Sequence, residues 1–302
     1  VTLIEAVRAA SARLTQAGVV FGHGTTNAWD EAVWLVLWRL GLPLDELDGV
    51  AARTLSAAEQ DAVAALIEQR IATRKPAAYL TGEAWLHGVA FTVDERVIVP
   101  RSLIAELIAH PEYGHALDAW LPAATRRVLD LCTGNGSLAV LAALAWPEVR
   151  VDATDLSADA LAVARLNVER HGLTGRIRLR QGDGLAAVAG ERYDLILCNP
   201  PYVDAPAMAA LPPEYRAEPA LALDGNTAGG RDGLDFVRAL LGAAAAYLEG
   251  DGVLVLEIGH GRAAFERAFP RLDAVWLPTS AGADQVLLLG RAALAPPSAS
   301  AT

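Results

Sequence analysis

From residue 127 onward, short apolar runs alternate with stretches of helical periodicity, and no other feature of the chain restricts its fold as much. Strands are predicted at 128–131, 150–154, 177–180, 194–198 and 253–258, and helices at 138–145, 158–171 and 234–248. Strand and helix in turn, joined by short loops, specify an α/β fold wound on both faces of a mostly parallel sheet, because each parallel pair needs a crossover. The end of the chain departs from this pattern. Residues 274–277 and 285–289 flank a glycine-containing loop and read as an antiparallel pair.

Ahead of this region the period is that of helices. Leu3, Val7 and Leu14 form one apolar stripe, Val33, Val36, Leu37 and Leu40 a second, and Val63, Leu66, Ile67 and Ile71 a third, with Ser56 placed to cap the last helix. Between 85 and 99 the period shortens towards two around Gly88, as in a hairpin, and Pro100-Arg101 closes it before a helix at 103–109. The expected organisation is a helical domain over 1–84, a hairpin and linker over 85–110, an α/β domain over 111–290, and a disordered, low-complexity tail over 291–302.

The charge balance is 25 Lys+Arg against 36 Asp+Glu, a net −11, which disfavours binding to nucleic-acid backbones. Lys75 is the only lysine, which reads as genome composition. Two cysteines among 302 residues exclude a disulfide scaffold, and no Cys/His spacing suits a metal. No apolar stretch is long enough to span a bilayer, and the amino-terminal residues lack the pattern of a secretory signal. A cytoplasmic protein with no membrane contact is therefore expected.

The first chemical constellation is Cys132-Thr133-Gly134-Asn135-Gly136, a glycine turn between a strand and a helix. Glycine admits the backbone angles of such a turn and lets a ligand approach the main chain. Asp155 ends the next strand, 19 residues after Gly136, where a carboxylate can accept both ribose hydroxyls. Asp183 ends the following strand at the same edge and can accept from an adenine amino group. A third glycine and a Lys-Ser/Thr pair are both missing, so the turn is a poor phosphate cradle. A nucleoside without phosphate fits better, and S-adenosylmethionine is the common one.

The second constellation, Asn199-Pro200-Pro201-Tyr202, follows the fourth strand directly. Prolines fix the backbone and have no N–H of their own. The Asn199 side-chain oxygen and the Pro200 carbonyl are then placed to accept both protons of a planar NH2 group, with Tyr202 as a flat face for it. An amide nitrogen is a weak nucleophile because its lone pair is delocalised. Holding its N–H bonds aside directs the lone pair at a sulfonium methyl, so positioning supplies most of the acceleration and neither a metal nor a strong base is required.

With these residues in view, nearly the whole chain resembles the HemK/PrmC–PrmB family of glutamine methyltransferases. The matching features are Ala78-Tyr-Leu-Thr-Gly82, Val99-Pro-Arg101, Asn199 to Tyr202, Glu218-Pro219, Gly229 to Leu234, and Leu256-Glu-Ile-Gly259. Phe21-Gly-His-Gly-Thr25, Asn27 with Trp29-Asp-Glu-Ala32, Val93 to Val97, Val99 to Ser102, Cys132-Thr-Gly134 and Leu211 to Pro219 are similar to the branch acting on ribosomal protein L-three. The resemblance implies a Rossmann-like class I methyltransferase sheet that ends in an antiparallel hairpin. It implies S-adenosylmethionine as cofactor, S-adenosylhomocysteine as product and no metal.

In the family's terms, Cys132, Thr133, Gly134, Asn135, Gly136, Asp155 and Asn199 would hold the cofactor, with Asp183 added from the residue reading. Asn199, Pro200, Pro201 and Tyr202 would hold the glutamine, with Asn199, Pro200 and Tyr202 catalytic. The helical domain would recognise the protein substrate. Two rivals are methylation of release factors, whose branch carries Pro-Arg-Pro-Glu-Thr-Glu after the hairpin and glycine in place of Cys132, and methylation of a nucleic-acid base, which the charge of −11 opposes. Gly184 stands where release-factor enzymes carry an aromatic residue against adenine.

Other residues read as structural. His23, with no acid paired to it in the sequence, belongs to a turn. His110 and His115 have no helical metal spacing, and Cys132 and Cys198 read as buried thiols at adjacent strand ends. Trp29, Trp34 and Trp38 read as core. Glu214, Arg216 and Glu218 fall in a loop that either lines the substrate mouth or is solvated.

Overall fold

The computed structural model describes residues 1–110, 116–121 and 125–295. Helices α1 (Leu3–Gln16), α2 (Ala28–Arg39), α3 (Leu47–Val50), α4 (Ala57–Thr73) and α5 (Ala77–Thr81) build the amino-terminal part. Thr2 with Glu5, and Ser56 with Glu59, form capping boxes on α1 and α4, and Asn27 caps α2. Each satisfies N–H groups that the first turn leaves without partners, a contribution of about 1 kcal/mol. The predicted stripes meet in one core of Leu3, Val7, Leu14, Leu35, Val36 and Ile67. Trp34 packs against this core, but Trp29 and Trp38 are each 38% exposed. The buried stripe of α2 is taken up by Glu31, Ala32 and Leu35 to Leu37, which leaves those two rings at the surface.

The hairpin pairs β1 (Glu83–Leu86) with β2 (Val89–Thr92) through His87 and Gly88, both at positive φ, as a tight two-residue turn requires. After α6 (Ile104–Ala109) the alternating region begins with β3 (Arg127–Leu131), α7 (Ser137–Ala145), β4 (Arg150–Asp155), α8 (Ala158–Arg170), β5 (Ile177–Gln181) and β6 (Tyr193–Cys198). Short helices α9 (Ala205–Ala210) and α10 (Pro213–Arg216) lead to α11 (Asp235–Ala243), β7 (Leu248–Glu257), α12 (Arg262–Ala268), β8 (Val275–Thr279), β9 (Gly282–Gly290) and α13 (Arg291–Leu294).

The seven strands lie in the order β5-β4-β3-β6-β7-β9-β8, with β3 to β7 parallel and β9 antiparallel to both its neighbours. Alternate residues of each central strand enter opposite cores: Val128, Val151, Leu195 and Val255 on one side, Leu129, Ile196, Leu254 and Leu256 on the other. That is why these strands are largely apolar, with few charged residues inside them. The order reverses between β3 and β6, which opens a crevice at their carboxyl ends.

Three boundaries differ from the sequence reading. The helix expected over 234–248 ends at Ala243 and passes through a 3-10 turn, because Leu248 pairs with Tyr193 and so already belongs to β7. Residues 291–294 of the expected tail form α13, which packs beside β7 and β9. Residues 296–302, His115 and the expected boundary at 111 lie outside the described residues.

Candidate active site

A cavity of about 820 Å³ opens at this crevice. Of the residues singled out above, Cys132, Gly134, Asp155, Asp183, Asn199 and Pro201 line it, whereas Thr133, Asn135, Gly136, Pro200 and Tyr202 do not.

The turn after β3 is shaped from beneath. Cys132, Gly134 and Gly136 all have positive φ, at 61°, 56° and 81°. The Thr133 hydroxyl and the Ala139 N–H both donate to Asp130, which is buried at the end of β3. Burial outweighs these two bonds and pushes the Asp130 carboxyl up to about 7. Asn135 is buried and accepts from Ser137 N–H at 3.2 Å. Thr133 and Asn135 thus hold the turn in shape, and Gly134 is the part of it that meets the cavity. A Cβ added at Gly134 would find no atom within 4 Å. Cys132 is half-buried rather than buried, because its left-handed backbone carries the residue out of the strand to the cavity wall.

Asp155 accepts Gly134 N–H and Ser157 N–H, each at 2.9 Å, so it fixes the glycine turn while facing the cavity. Burial raises its carboxyl above the usual range. Beside it, Thr154 lines the cavity with a buried hydroxyl that has no partner among the described residues, the kind of group a ligand satisfies. Asp183 stands two residues beyond β5, exposed at the rim. Next to it, Phe236 of α11 comes within 3.7 Å of where a Cβ on Gly184 would lie. The flat side chain absent at position 184 is therefore supplied on the same wall from another element, which residue spacing alone does not reveal.

Asn199 follows β6 directly, in the strand next to β3, and faces the cavity. Among the described residues, neither its side chain nor the Pro200 carbonyl accepts a hydrogen bond, so both remain open acceptors. Pro200 itself is buried. The Tyr202 hydroxyl donates to Glu257 at 3.3 Å. Glu257 is buried at the end of β7, and desolvation raises its carboxyl. An acid inside the apolar run of β7, like Asp130 inside that of β3, was the available signal for both residues, since a buried carboxylate requires partners.

The loop after Tyr202 corrects the sequence reading. Glu214 and Glu218 are buried rather than solvated and do not line the cavity, and of the three only Arg216 is exposed. Glu214 accepts Val20 N–H at 3.1 Å and Arg74 at 3.2 Å, and Arg70 lies 3.8 Å away. Glu218 accepts Val99 N–H at 2.9 Å and both arms of Arg101, and His23 stands 3.5 Å from it. His23 therefore has a paired acid after all, supplied from 195 residues away. These carboxylates fasten the loop to the helical part and the hairpin, and Pro219 to Ala222, just beyond, line the cavity.

Comparison with known proteins accords with this geometry. Residues 5–82 match the model of the PrmC N-terminal domain, and residues 115–211 match that of the Methyltransferase small domain. Among solved structures, the hMettl16 catalytic domain in complex with a 3'UTR hairpin aligns with a TM-score of 0.51 at 16% identity, over 81% of this chain and 83% of that one, a likeness of fold alone. The "Ribosomal protein uL3 glutamine methyltransferase" of Bordetella pertussis is 54% identical over 96% of this chain and 95% of its own length. That of Burkholderia pseudomallei is 53% identical over 95% and 94%, and that of Bradyrhizobium diazoefficiens is 48% identical over 97% and 92%. At such identity over nearly the full length of both chains, this protein belongs to the family of ribosomal protein uL3 glutamine methyltransferases.

Proposed function

We propose that the chain transfers a methyl group from S-adenosylmethionine to the side-chain amide nitrogen of a glutamine in ribosomal protein uL3. The observation that carries the reading is Asn199, after β6, in the wall of the same cavity as Gly134, after the adjacent β3, and Asp155, at the end of β4. The cavity's size, the open approach to Gly134 and the orphaned Thr154 hydroxyl fit a nucleoside ligand with an amino-acid tail. In this reading Asp155 takes the ribose hydroxyls, Asp183 and Phe236 border the adenine, and Cys132 and Gly134 adjoin the tail. Thr133, Asn135 and Gly136 act through the shape of the turn.

When bound, the cofactor supplies a sulfonium methyl and departs as a neutral thioether, S-adenosylhomocysteine. The protein's share is orientation. The Asn199 Oδ1 and Pro200 carbonyl oxygens accept the two amide N–H groups, which turns the nitrogen lone pair towards the methyl. Pro201 lines the wall beside them and Tyr202 limits the substrate amide on one face. The proton lost on methylation leaves a nitrogen made acidic by its new bond, so water suffices to take it.

The helical domain, read as residues 1–84, offers the surface that would recognise the protein substrate, and the net charge of −11 suits a basic ribosomal protein. No helix among the described residues is long and apolar enough to cross a membrane. A cytoplasmic site of action fits a ribosomal substrate.

The test uses labelled S-adenosylmethionine with unmethylated uL3, a class I release factor and duplex DNA in separate reactions, each product mapped by peptide or nucleoside mass spectrometry. Label on a glutamine of uL3 alone is the expected result. Label on the release factor would keep the chemistry and replace the substrate, and label on DNA alone would overturn both.

A further inference from the structure

Leu256-Glu-Ile-Gly259 matches the family, yet no residue of it lines the cavity. Its place in the fold explains it. The Glu257 Oε2 accepts the Ser102 hydroxyl at 2.6 Å, Leu103 N–H at 2.9 Å and Ile104 N–H at 3.4 Å, all at the amino end of α6. Its Oε1 accepts only the Tyr202 hydroxyl among the described residues. Gly259 lies two residues on, at φ +52°, and a Cβ there would sit 2.6 Å from Cε2 of the Tyr202 ring. Gly233 closes the third side: a Cβ there would lie 2.2 Å from the Tyr202 carbonyl oxygen.

We propose that Glu257 is a positioning residue for methyl transfer, which together with Gly259 fixes the ring of Tyr202 against the substrate amide. The proposal rests on the reading of Tyr202 given above. Capping α6 occupies Oε2 alone, so that role leaves the direction of Oε1 unexplained. Asn199 and Pro200 are held by strand and proline geometry, whereas the Tyr202 ring has two free torsions. A carboxylate anchored by three donors removes that freedom, with its second oxygen turned to the phenol. The effect falls on the fraction of bound substrate correctly posed, and so on kcat rather than on cofactor affinity.

A double-mutant cycle tests this in the full-length protein, with Tyr202→Phe, Glu257→Gln and the double variant measured for kcat on uL3 and for cofactor Kd by calorimetry. In Glu257→Gln the three donors claim the amide oxygen, which leaves an NH2 group towards the phenol in place of an acceptor. Each single variant should lose about tenfold in kcat with cofactor Kd within about twofold, and the double variant should be no worse than either single. Additive losses, or an unchanged kcat in Glu257→Gln, would overturn the proposal.

Tyrosine-labelled carbon-13 spectra supply a readout independent of activity. The ring resonance missing in Tyr202→Phe identifies Tyr202, and it should move and sharpen in Glu257→Gln as the ring is released. An unmoved resonance would overturn the contact even if wild type fails to methylate uL3, a failure that would count against the proposed function instead. Should Glu257→Gln not fold, Gly259→Ala displaces the same ring with a Cβ that would lie 2.6 Å from its Cε2. Wild-type kcat in Gly259→Ala would overturn the proposal.

Discussion

Arg101 grips Glu218 with both arms of its guanidinium, at 2.6 and 2.7 Å, and draws the loop after Tyr202 onto the segment that follows the hairpin. Burial alone would raise the Glu218 carboxyl, but His23 and Arg101 outweigh it and hold the group down at about 2, against an ordinary 4.5. A depressed carboxylate stabilises the fold fully above its unfolded pKa. That contribution is lost as pH falls from about 4.5 towards 2. The shift corresponds to about 3 kcal/mol across this window. Urea midpoints between pH 2 and 6 should show the slope in wild type and a weaker slope in Glu218→Gln. An identical slope in the variant would assign the acid sensitivity to other groups.

Asp130 has the opposite sign. Its carboxyl is raised to about 7, so between about 4 and 7 the unfolded chain releases a proton that the folded chain keeps. Stability from this group is greatest below 4 and declines as pH rises through 7. Asp130→Asn removes the titration and should flatten the decline of Tm between pH 5 and 8, at a roughly constant cost for the new buried amide. Scanning calorimetry across that range decides it, and an unaltered decline in the variant would count against the assignment.

The contrast between these two acids shows what the sequence could carry. The parallel sheet, the glycine turn and the Asn-Pro-Pro-Tyr corner are local patterns, and residues such as Val128, Gly134 and Asn199 announce them through period and neighbours. Glu218, Glu214 and His23 look like ordinary loop residues, because their partners come from 117 to 195 positions away, where no pattern links them. Phe236 escaped for the same reason: it meets Gly184 only once α11 has folded over the 3-10 turn that follows β5. Tyr202 shows the limit within a motif. Its residue type was legible, but its bond to Glu257 depends on the adjacency of β6 and β7.

Gly22 is one point where the helical part packs against the loop. A Cβ there would lie 2.2 Å from the Tyr215 hydroxyl oxygen, and its φ of +133° strains any other residue. Gly22→Ala should cost about 2 kcal/mol or more, seen as a lower urea midpoint. Because Pro219 to Ala222 follow in the cavity wall, cofactor Kd should weaken in the same variant. Loss of stability with unchanged Kd would mean that the cavity wall keeps its shape without this contact.

Asn199 is the residue on which binding and turnover should separate most widely. Its backbone follows β6 beside Cys198, which pairs with Leu131, and Leu195 to Cys198 before it are buried, so removal of the side chain leaves the crevice standing. Its side chain lines the cavity and accepts no bond from the described residues, so no internal network collapses with it. Asn199→Ala should therefore fold with a wild-type Tm, within about 2 °C, since only a partly exposed polar group is lost. It should bind S-adenosylhomocysteine within a few-fold of wild type, because Gly134 and Asp155 still shape that wall. Turnover on uL3 should drop by about 10²–10³, the scale of losing one oriented hydrogen-bond partner in the transition state. Calorimetry for Kd and single-turnover label transfer for rate check the two halves separately. A tenfold or smaller fall in rate would move the burden of orientation from Asn199 to the Pro200 carbonyl and the Tyr202 ring.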